Sequence, residues 1–265
     1  METSARISIR GATRTFAGSG RSVVHAMGPV DLTIGDDEFL CVVGPSGCGK
    51  STLLKIVAGL LAPSRGEVSV GVSGSSRIPI AMVFQDYGIY PWKTVRANVE
   101  LGLRLSGRAK AERRAVADDW LTRLGLVDFA DAYPNTLSGG MRQRVSIARA
   151  LALDPEVLLM DEPFAALDAQ LREVMQDELL QIWQARRRTV VFVTHSLEEA
   201  LLLGDRVVVM SARPGRIISE VAVPFERPRA SSVRNDPLFA KLRGELWTSL
   251  HSEVVAQFAT GEGKD

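Results

Sequence analysis

Residues 42–52 read VVGPSGCGKST, the most informative stretch of the chain for its fold class. From Gly44 to Ser51 the spacing is G-x-x-x-x-G-K-[ST], preceded by the apolar run FLCVV and followed by the helical pattern STLLKIVAGL. A strand, a glycine-rich turn and a helix in this order form a phosphate-binding loop. The sequence therefore predicts an α/β fold with a P-loop NTPase core, in which a mostly parallel sheet is flanked by helices.

The loop offers backbone, cationic and hydroxyl groups to a bound triphosphate. Its glycines allow backbone N–H groups to face the phosphates, and Lys50 supplies a positive charge for the β and γ phosphates. The Ser51 hydroxyl can occupy one coordination position of Mg²⁺. The predicted nucleotide contacts are Gly44, Pro45, Ser46, Gly47, Cys48, Gly49, Lys50, Ser51 and Thr52.

A second apolar run, VLLMDEP at 157–163, ends in two adjacent carboxylates. A continuous apolar run predicts a strand that is buried on both faces, as in the centre of a parallel sheet. Ligands of open α/β sheets bind outside the carboxyl ends of the strands. We therefore expect Asp161 to lie near the Mg²⁺, through a water molecule, and Glu162 to reach the water that attacks the γ-phosphorus.

The same pattern recurs in TVVFVTHSLEEA at 189–200. His195 follows this run at its carboxyl end, where it could contact the γ-phosphate and hold the attacking water. Phosphoryl transfer requires a group that orients the nucleophile. Glu162 is therefore predicted to be catalytic, and His195 is a candidate for the same role, although a histidine at a strand end is by itself more often structural.

A glycine pair opens another helical pattern in LSGGMRQR at 137–144. A serine N-cap followed by glycines leaves backbone N–H groups exposed at the positive end of a helix, which favours anions. Ser138, Gly139 and Gly140 are thus a second candidate phosphate contact in the same chain.

Charge and length limit the function classes. A chain of 265 residues allows one large domain, or one domain with a small subdomain. With 32 Lys and Arg against 31 Asp and Glu the net charge is +1, which does not favour binding to nucleic acid or to an anionic membrane. Basic runs at 108–114 and 186–188 are predicted to be solvated surface.

Cysteine usage and apolar runs indicate the compartment. Cys41 and Cys48 have neither zinc-site spacing nor a disulfide framework, so they are predicted to be small core residues in a reducing compartment. The N-terminus shows no apolar signal segment. Apolar runs such as VVVM at 207–210 are far shorter than the ~18 residues of a membrane helix, so we expect a soluble chain.

Pattern changes along the chain suggest its organisation. Strand-like alternation over the first forty residues predicts an added N-terminal antiparallel β subdomain. Strands and helices then alternate, whereas the region from roughly 85 to 150 is mostly helical. We predict a nucleotide-hydrolysing domain at 1–225 with a helical subdomain inserted at about 90–150. Residues 226–265 are predicted to form a short C-terminal tail with a helix.

The P-loop, the acidic strand end, His195 and LSGGMRQR together resemble the ATP-binding cassette (ABC) family of ATPase domains. LSGGMRQR resembles the signature motif of that family, which is far more discriminating than a P-loop, and His195 resembles its switch histidine. The resemblance covers residues 5–225. It implies ATP and Mg²⁺ as cofactors and ATP hydrolysis as the activity.

Further residues take expected roles from this resemblance. Gln85, in VFQD, resembles the glutamine-loop residue that reaches the Mg²⁺ or the attacking water. It is therefore an expected catalytic group and, with Ser51 and Asp161, an expected metal ligand. Asp168, in AALDAQ, resembles the D-loop aspartate near the nucleotide. Phe16 lies where the family has an aromatic residue that stacks on adenine.

Finer details resemble the ATPase subunits of importers for nitrate, sulfonates, taurine and related small solutes. FQDYGIYPWKTVRANVELGL at 84–103 resembles the stretch after the glutamine in that group, and FERPRASSVRNDPLFAKLRGELW at 225–247 resembles its tail. Tyr87, Tyr90, Pro91 and Trp92 are then expected to line the groove that receives a helix of the membrane subunit.

The resemblance also implies a homodimer that sandwiches two ATP molecules head to tail. The loop with Lys50 and Ser51 of one subunit would hold ATP, and Ser138, Gly139 and Gly140 of the other would close over the γ-phosphate. Expected partners are a second copy of the chain, integral membrane permease subunits and, indirectly, a solute-binding protein, with no nucleic acid. The expected location is peripheral, at the cytoplasmic face of the cell membrane.

Other functions remain open from the sequence. An importer ATPase for another solute, such as bicarbonate or a vitamin precursor, would have the same motifs. A non-transport ABC ATPase, acting in DNA repair or translation, usually has coiled coils, zinc modules or two cassettes, and the sequence shows none of these. A P-loop kinase or metabolic ATPase of another class is disfavoured by LSGGMRQR and AALD.

Overall fold

The structure, a computed structural model, describes residues 5–18, 23–74, 78–229 and 231–259. Its strands and helices are β1 (Ala5–Ala17), β2 (Val23–Gly35), β3 (Phe39–Val43), α1 (Lys50–Val57), β4 (Arg65–Val70), β5 (Ile80–Val83), α2 (Val95–Leu105), α3 (Lys110–Arg123), α4 (Gly139–Leu151), β6 (Val157–Asp161), α5 (Ala169–Ala185), β7 (Thr189–Val193), α6 (Leu197–Leu203), β8 (Arg206–Met210), β9 (Ile217–Ala222) and α7 (Pro237–Ala259).

Contacts divide the chain into two compact units. The first unit is Met1–Gly71 with Gln176–Asp265, and the second unit is Val72–Met175, so the division falls within α5. The boundaries expected from the sequence, 1–225 with an insertion at about 90–150 and a tail at 226–265, stay predictions. Among the described helices, none combines the length and the apolar character that crossing a bilayer would require.

An antiparallel sheet opens the first unit, in the strand order β2-β1-β4. Alternate residues of these strands are buried, for example Ile7 and Ile9 in β1 and Leu32 and Ile34 in β2. This period of two is the pattern of a sheet with one face on the core. The N-terminal antiparallel β structure predicted from the sequence is thus present.

The same unit contains a mostly parallel sheet. Strand β3 pairs in parallel with β7 on one side and with β8 on the other, and β9 is antiparallel to β8. Every residue of β3 and β7 is buried, as their continuous apolar runs predict. Parallel strands end at the same edge of a sheet, so the segments that follow β3 and β7 lie near each other.

Within the first unit, the buried Arg229 and helix α7 join the C-terminal segment, residues 225–229 and 231–259, to the neighbouring elements. Arg229 donates hydrogen bonds to several carbonyl oxygens, including those of Leu202 at 3.1 Å and Val223 at 3.2 Å. Burial lowers the pKa of Arg229 to about 10, so the side chain stays charged at neutral pH. Helix α7 packs against α6 and buries Phe239 and Leu246.

The second unit contains the parallel pair β5 and β6 together with α2, α3 and α4, which pack on one another. Val95, Val99 and Leu103 recur every four residues in α2 and are buried. This spacing gives a helix one apolar face, which here packs on α3 and α4.

The prediction for the basic runs is wrong at Arg188. This residue is only 7% exposed, and its carbonyl oxygen accepts a 2.8 Å hydrogen bond from the indole Nε1 of Trp183. Charge patterning assigns a run of arginines to the surface, but the turn after α5 directs this one inward. In the other run Arg114 is exposed, as predicted, whereas Arg108 is half-buried and the Arg113 side chain is 17% exposed.

Candidate nucleotide site

The phosphate loop of the first unit lies directly between β3 and α1. Gly47 and Gly49 have φ angles of 74° and 105°, which glycine adopts without strain. Lys50, the first residue of α1, is 6% exposed, and its Nζ donates 2.8 Å hydrogen bonds to the carbonyl oxygens of Gly44 and Pro45. The loop thus surrounds a buried ammonium group at the N-terminal end of a helix, which fits a triphosphate anion.

Residues 211–216, which no sequence motif singled out, pack against this loop. Gly215 is buried, and a Cβ at its position would lie 1.9 Å from the carbonyl oxygen of Cys48. Arg213 is exposed, and its Nε donates to the carbonyl oxygen of Gly47 at 3.5 Å. No sequence motif links Arg213 or Gly215 to the phosphate loop. Their contact with the loop is therefore visible only in the folded structure.

Both cysteine thiols are buried, as the sequence predicts. Burial raises the pKa of the Cys48 thiol, although the Lys50 ammonium opposes this shift. Burial also raises the pKa of Cys41, well above its ordinary value. Both thiols are therefore protonated at neutral pH and are poor nucleophiles there.

His195 lies at the same sheet edge as the phosphate loop. Val193, the last residue of β7, pairs with Val42 in β3, and the Thr194 N–H donates to the Val42 carbonyl oxygen at 3.2 Å. The side chain of His195 is exposed just beyond this pair. The structure therefore brings the predicted switch histidine beside the start of the predicted nucleotide loop.

Phe16 lies in β1, which pairs with β2, and Met27 of β2 lies close to Gly49 of the phosphate loop. Its ring is 37% exposed, and the Arg14 guanidinium carbon lies 4.7 Å from the ring centroid. Arg14 pairs with Met27 of β2, and a Cβ on Gly49 would be 3.0 Å from the Met27 Cβ. The ring is thus partly open to solvent, and adenine stacking stays a prediction.

In the second unit, Gln85 and the two carboxylates lie at the carboxyl ends of two paired strands. Val83 at the end of β5 pairs with Met160 in β6, so Gln85 and Asp161 lie at one edge. Asp161 is 3% exposed and Gln85 is exposed. Glu162 has a φ of 47°, which is uncommon for a non-glycine residue, and the backbone thereby turns sharply after β6.

The helix start at 138–140 has the predicted serine cap. The exposed Ser138 accepts a 3.3 Å hydrogen bond from the Met141 N–H at its Oγ. A Cβ on Gly139 would lie 3.3 Å from the hydroxyl oxygen of Tyr87, and one on Gly140 would lie 3.1 Å from Leu167 Cδ2. The signature segment thus lies against the loop after Gln85 and against the segment before Asp168.

Two further side chains, Asp168 and Arg149, lie in the second unit with the signature segment and the loop after Gln85. Asp168 caps α5, since its Oδ1 accepts a 2.9 Å hydrogen bond from the Leu171 N–H. Arg149 donates to the carbonyl oxygens of Gly88 at 2.6 Å and Tyr87 at 3.2 Å. Burial lowers the pKa of Arg149. Sequence reasoning missed Arg149, whose position in the middle of a helix gives no motif signal.

The predicted metal ligands suit Mg²⁺ chemically. Ser51, Gln85 and Asp161 offer a hydroxyl, an amide oxygen and a carboxylate, which are the hard oxygen ligands that Mg²⁺ prefers. Among the residues that the structure describes, no group of three or more His, Cys, Asp or Glu side chains could hold a metal ion. The assignment of Ser51, Gln85 and Asp161 as Mg²⁺ ligands stays a prediction.

The family model described as ABC transporter matches residues 27–165, which contain the phosphate loop, the signature segment and the acidic strand end. The chain belongs to this family. It is an ATP-binding ATPase cassette, so the fold and the ATP cofactor predicted from the sequence are confirmed, whereas Mg²⁺ stays a prediction.

Three relatives carry names of importer subunits. The taurine import ATP-binding protein TauB of Rhizobium johnstonii is 47% identical, over 89% of this chain and 93% of that protein. The bicarbonate transport ATP-binding protein CmpD of Synechocystis sp. is 44% identical, over 96% of this chain and 92% of that protein. The nitrate import ATP-binding protein NrtD of the same organism is 44% identical, over 95% and 97%.

A solved structure has the same fold. The dimeric post-hydrolysis state of the ATP-binding cassette MJ0796 bound to ADP and Pi matches with a TM-score of 0.75 and 34% sequence identity. The match covers 83% of this chain and 100% of that chain.

Proposed function

We propose that this chain is the ATP-hydrolysing subunit of a membrane importer for a small solute of the nitrate, sulfonate or taurine type. The names of TauB and NrtD support the solute class, and identities of 47% and 44% over most of both chains support a common role. The chain would act at the cytoplasmic face of the membrane as a peripheral subunit, with permease subunits and a solute-binding protein as partners.

The observation that carries the importer assignment is the exposed aromatic loop after Gln85. Trp92 is 69% exposed and Tyr90 is 38% exposed, and their rings meet edge to face with centroids 5.4 Å apart. The buried Asn98 holds the loop backbone: its Oδ1 accepts from the Tyr90 N–H at 2.7 Å, and its Nδ2 donates to the Lys93 carbonyl at 3.1 Å. Exposed aromatic side chains on a rigid backbone favour a protein interface, which we assign to a permease helix.

The predicted catalytic and metal-binding residues have distinct roles in the proposed hydrolysis. Lys50 and the N-terminal end of α1 bind the triphosphate, Glu162 accepts a proton from the attacking water, and His195 holds that water. Ser51, Gln85 and Asp161 would hold Mg²⁺, which, when bound, neutralises phosphate charge as a Lewis acid.

The second phosphate contact belongs, in this proposal, to the neighbouring subunit. An exposed serine-capped helix start attracts an anion, yet the phosphate loop already binds the nucleotide of its own chain. The dimeric structures of MJ0796 support a dimer. We propose a head-to-tail pair in which Ser138, Gly139 and Gly140 of one copy close over the γ-phosphate bound by the other.

A bicarbonate importer is the second candidate, because CmpD is 44% identical over 96% of the chain. Deletion of the gene in its host, followed by uptake of labelled taurine, an alkanesulfonate, nitrate and bicarbonate, separates the candidates. We expect loss of taurine, sulfonate or nitrate uptake, restored by the wild-type chain and not by Glu162→Gln. Loss of bicarbonate uptake alone would favour the second candidate, and four unchanged uptake rates would contradict an importer role for these solutes.

A further inference from the structure

Hydrogen bonds connect the C-terminal segment to the residue that precedes His195. Arg234, in a 3₁₀ turn at Ser231–Asn235, donates from Nη2 to Gln176 Oε1 at 2.8 Å. Gln176 donates from Nε2 to Glu199 Oε1 at 3.2 Å. The other carboxylate oxygen of Glu199 accepts a 2.5 Å hydrogen bond from the Thr194 hydroxyl.

Three residues of this hydrogen-bond network, Gln176, Glu199 and Thr194, are buried. Gln176 and Thr194 are each 2% exposed, and Glu199 is 6% exposed. A buried carboxylate is costly unless hydrogen bonds compensate its lost hydration. Buried networks whose members are satisfied also hold their surroundings in one arrangement.

The inner end of the network holds the backbone on both sides of His195. The Thr194 hydroxyl oxygen accepts a 3.0 Å hydrogen bond from the Ser196 N–H, and the Ser196 hydroxyl accepts from the Glu199 N–H at 3.2 Å. The Thr194 N–H also bonds to the Val42 carbonyl of β3. The His195 side chain is exposed, but its peptide neighbours are not free to rotate.

Arg234, at the other end of the network, favours one orientation of the Gln176 amide. An arginine can only donate hydrogen bonds, so Arg234 requires the amide oxygen to face it. The amide nitrogen then faces Glu199, which can only accept while ionised. Without Arg234 the Gln176 side chain would be held by Glu199 alone, which would loosen Glu199 and the Thr194 hydroxyl that donates to it.

We propose that Arg234 is a positioning residue for ATP hydrolysis. Acting through Gln176, Glu199 and Thr194, it holds the His195 segment where the histidine meets the γ-phosphate, and the C-terminal segment thereby sets the turnover rate. This inference rests on the role proposed for His195, and it assigns a function to one residue of the C-terminal segment.

The test compares Arg234→Ala with Arg243→Ala in the full chain. Arg243 also joins the C-terminal segment to α6, through an ion pair of 2.8 Å with Glu198 in which both side chains are 52% exposed, but it is outside the network. We expect Arg234→Ala to lower kcat about tenfold with the KM for ATP unchanged within twofold, because positioning acts on the transition state. Arg243→Ala should retain kcat within about twofold, and Arg234→Lys should recover part of the loss.

A double-mutant cycle with His195→Ala separates positioning from general damage. If Arg234 acts through His195, Arg234→Ala should lower kcat no further in the His195→Ala background. An equal loss in both backgrounds, or wild-type kcat for Arg234→Ala alone, would overturn the inference. A wild-type kcat for His195→Ala would refute the role of His195 and, with it, the positioning role of Arg234. A lower kcat for His195→Ala with a wild-type kcat for Arg234→Ala would refute the positioning role alone.

Discussion

Gly215 and Cys48 are in such close contact that a Cβ on Gly215 would lie 1.9 Å from the Cys48 carbonyl oxygen. The Gly215 backbone is held on both sides, by a 3.3 Å hydrogen bond to the Ala26 carbonyl and a 2.8 Å hydrogen bond from the Gly28 N–H. The curvature of the phosphate loop therefore depends on a glycine that lies far from it in sequence.

Gly215→Ala should weaken ATP binding by roughly tenfold or more, because a methyl group there overlaps a backbone oxygen and forces the loop to shift. Titration with a non-hydrolysable ATP analogue measures this. Gly244→Ala is the control, since a Cβ at that helical position meets nothing within 4 Å. It should retain binding and raise the free energy of unfolding by about 0.5–1 kcal/mol. Wild-type affinity in Gly215→Ala would show that the loop does not depend on this contact.

Glu162→Gln should lower the rate of hydrolysis on the order of 10²–10⁴-fold while ATP binding is retained, since the amide cannot accept the proton of the attacking water. Single-turnover hydrolysis and analogue binding measure the two effects separately. Glu112→Gln, which alters an exposed carboxylate on α3 of the same unit, should hydrolyse ATP normally. Near-normal turnover in Glu162→Gln would refute the assignment of the general base.

Alkylation of Cys41 and Cys48 should be slow in the folded protein. Burial raises both pKa values, so the reactive thiolate is scarce until the pH exceeds that of ordinary thiol ionisation, near ~8.5. Iodoacetamide labelling at pH 8.5 should be at least about tenfold slower in the folded chain than in guanidinium chloride. Equal rates in the two states would mean that these thiols are not protected by the fold.

Trp92→Ala should abolish solute uptake in the host and leave the ATPase rate of the isolated chain within about twofold of wild type, because the ring belongs to a docking surface. Trp247→Ala is the matched control, since Trp247 on α7 is also exposed, at 58%. It should retain uptake. Full uptake with Trp92→Ala would exclude this loop as the permease contact.

Local patterns predicted those parts of the fold that depend on neighbouring residues. Runs such as FLCVV have no polar face, which identifies a doubly buried strand, and the spacing from Gly44 to Ser51 specifies the turn between strand and helix. Contacts between distant positions leave no such pattern. Arg234 and Gln176 are 58 positions apart, and no sequence spacing predicts their hydrogen bond. The prediction that Arg188 lies on the surface is wrong for the same reason, since its burial depends on the packing of the turn after α5.

The central claim is that Ser138 and Lys50 serve one nucleotide from two different chains. Separately, Ser138→Arg and Lys50→Ala should each hydrolyse ATP at a small fraction of the wild-type rate. In Ser138→Arg a bulky side chain blocks the helix start, and in Lys50→Ala no ammonium group neutralises the phosphate charge.

Mixing the two variants tests the claim most directly, because one heterodimer then contains one intact composite site and one doubly damaged site. We predict that an equimolar mixture regains ATP hydrolysis well above the sum of the separate variants, with a titration maximum near equal amounts. A mixture that hydrolyses ATP no faster than that sum at any ratio would contradict the composite site.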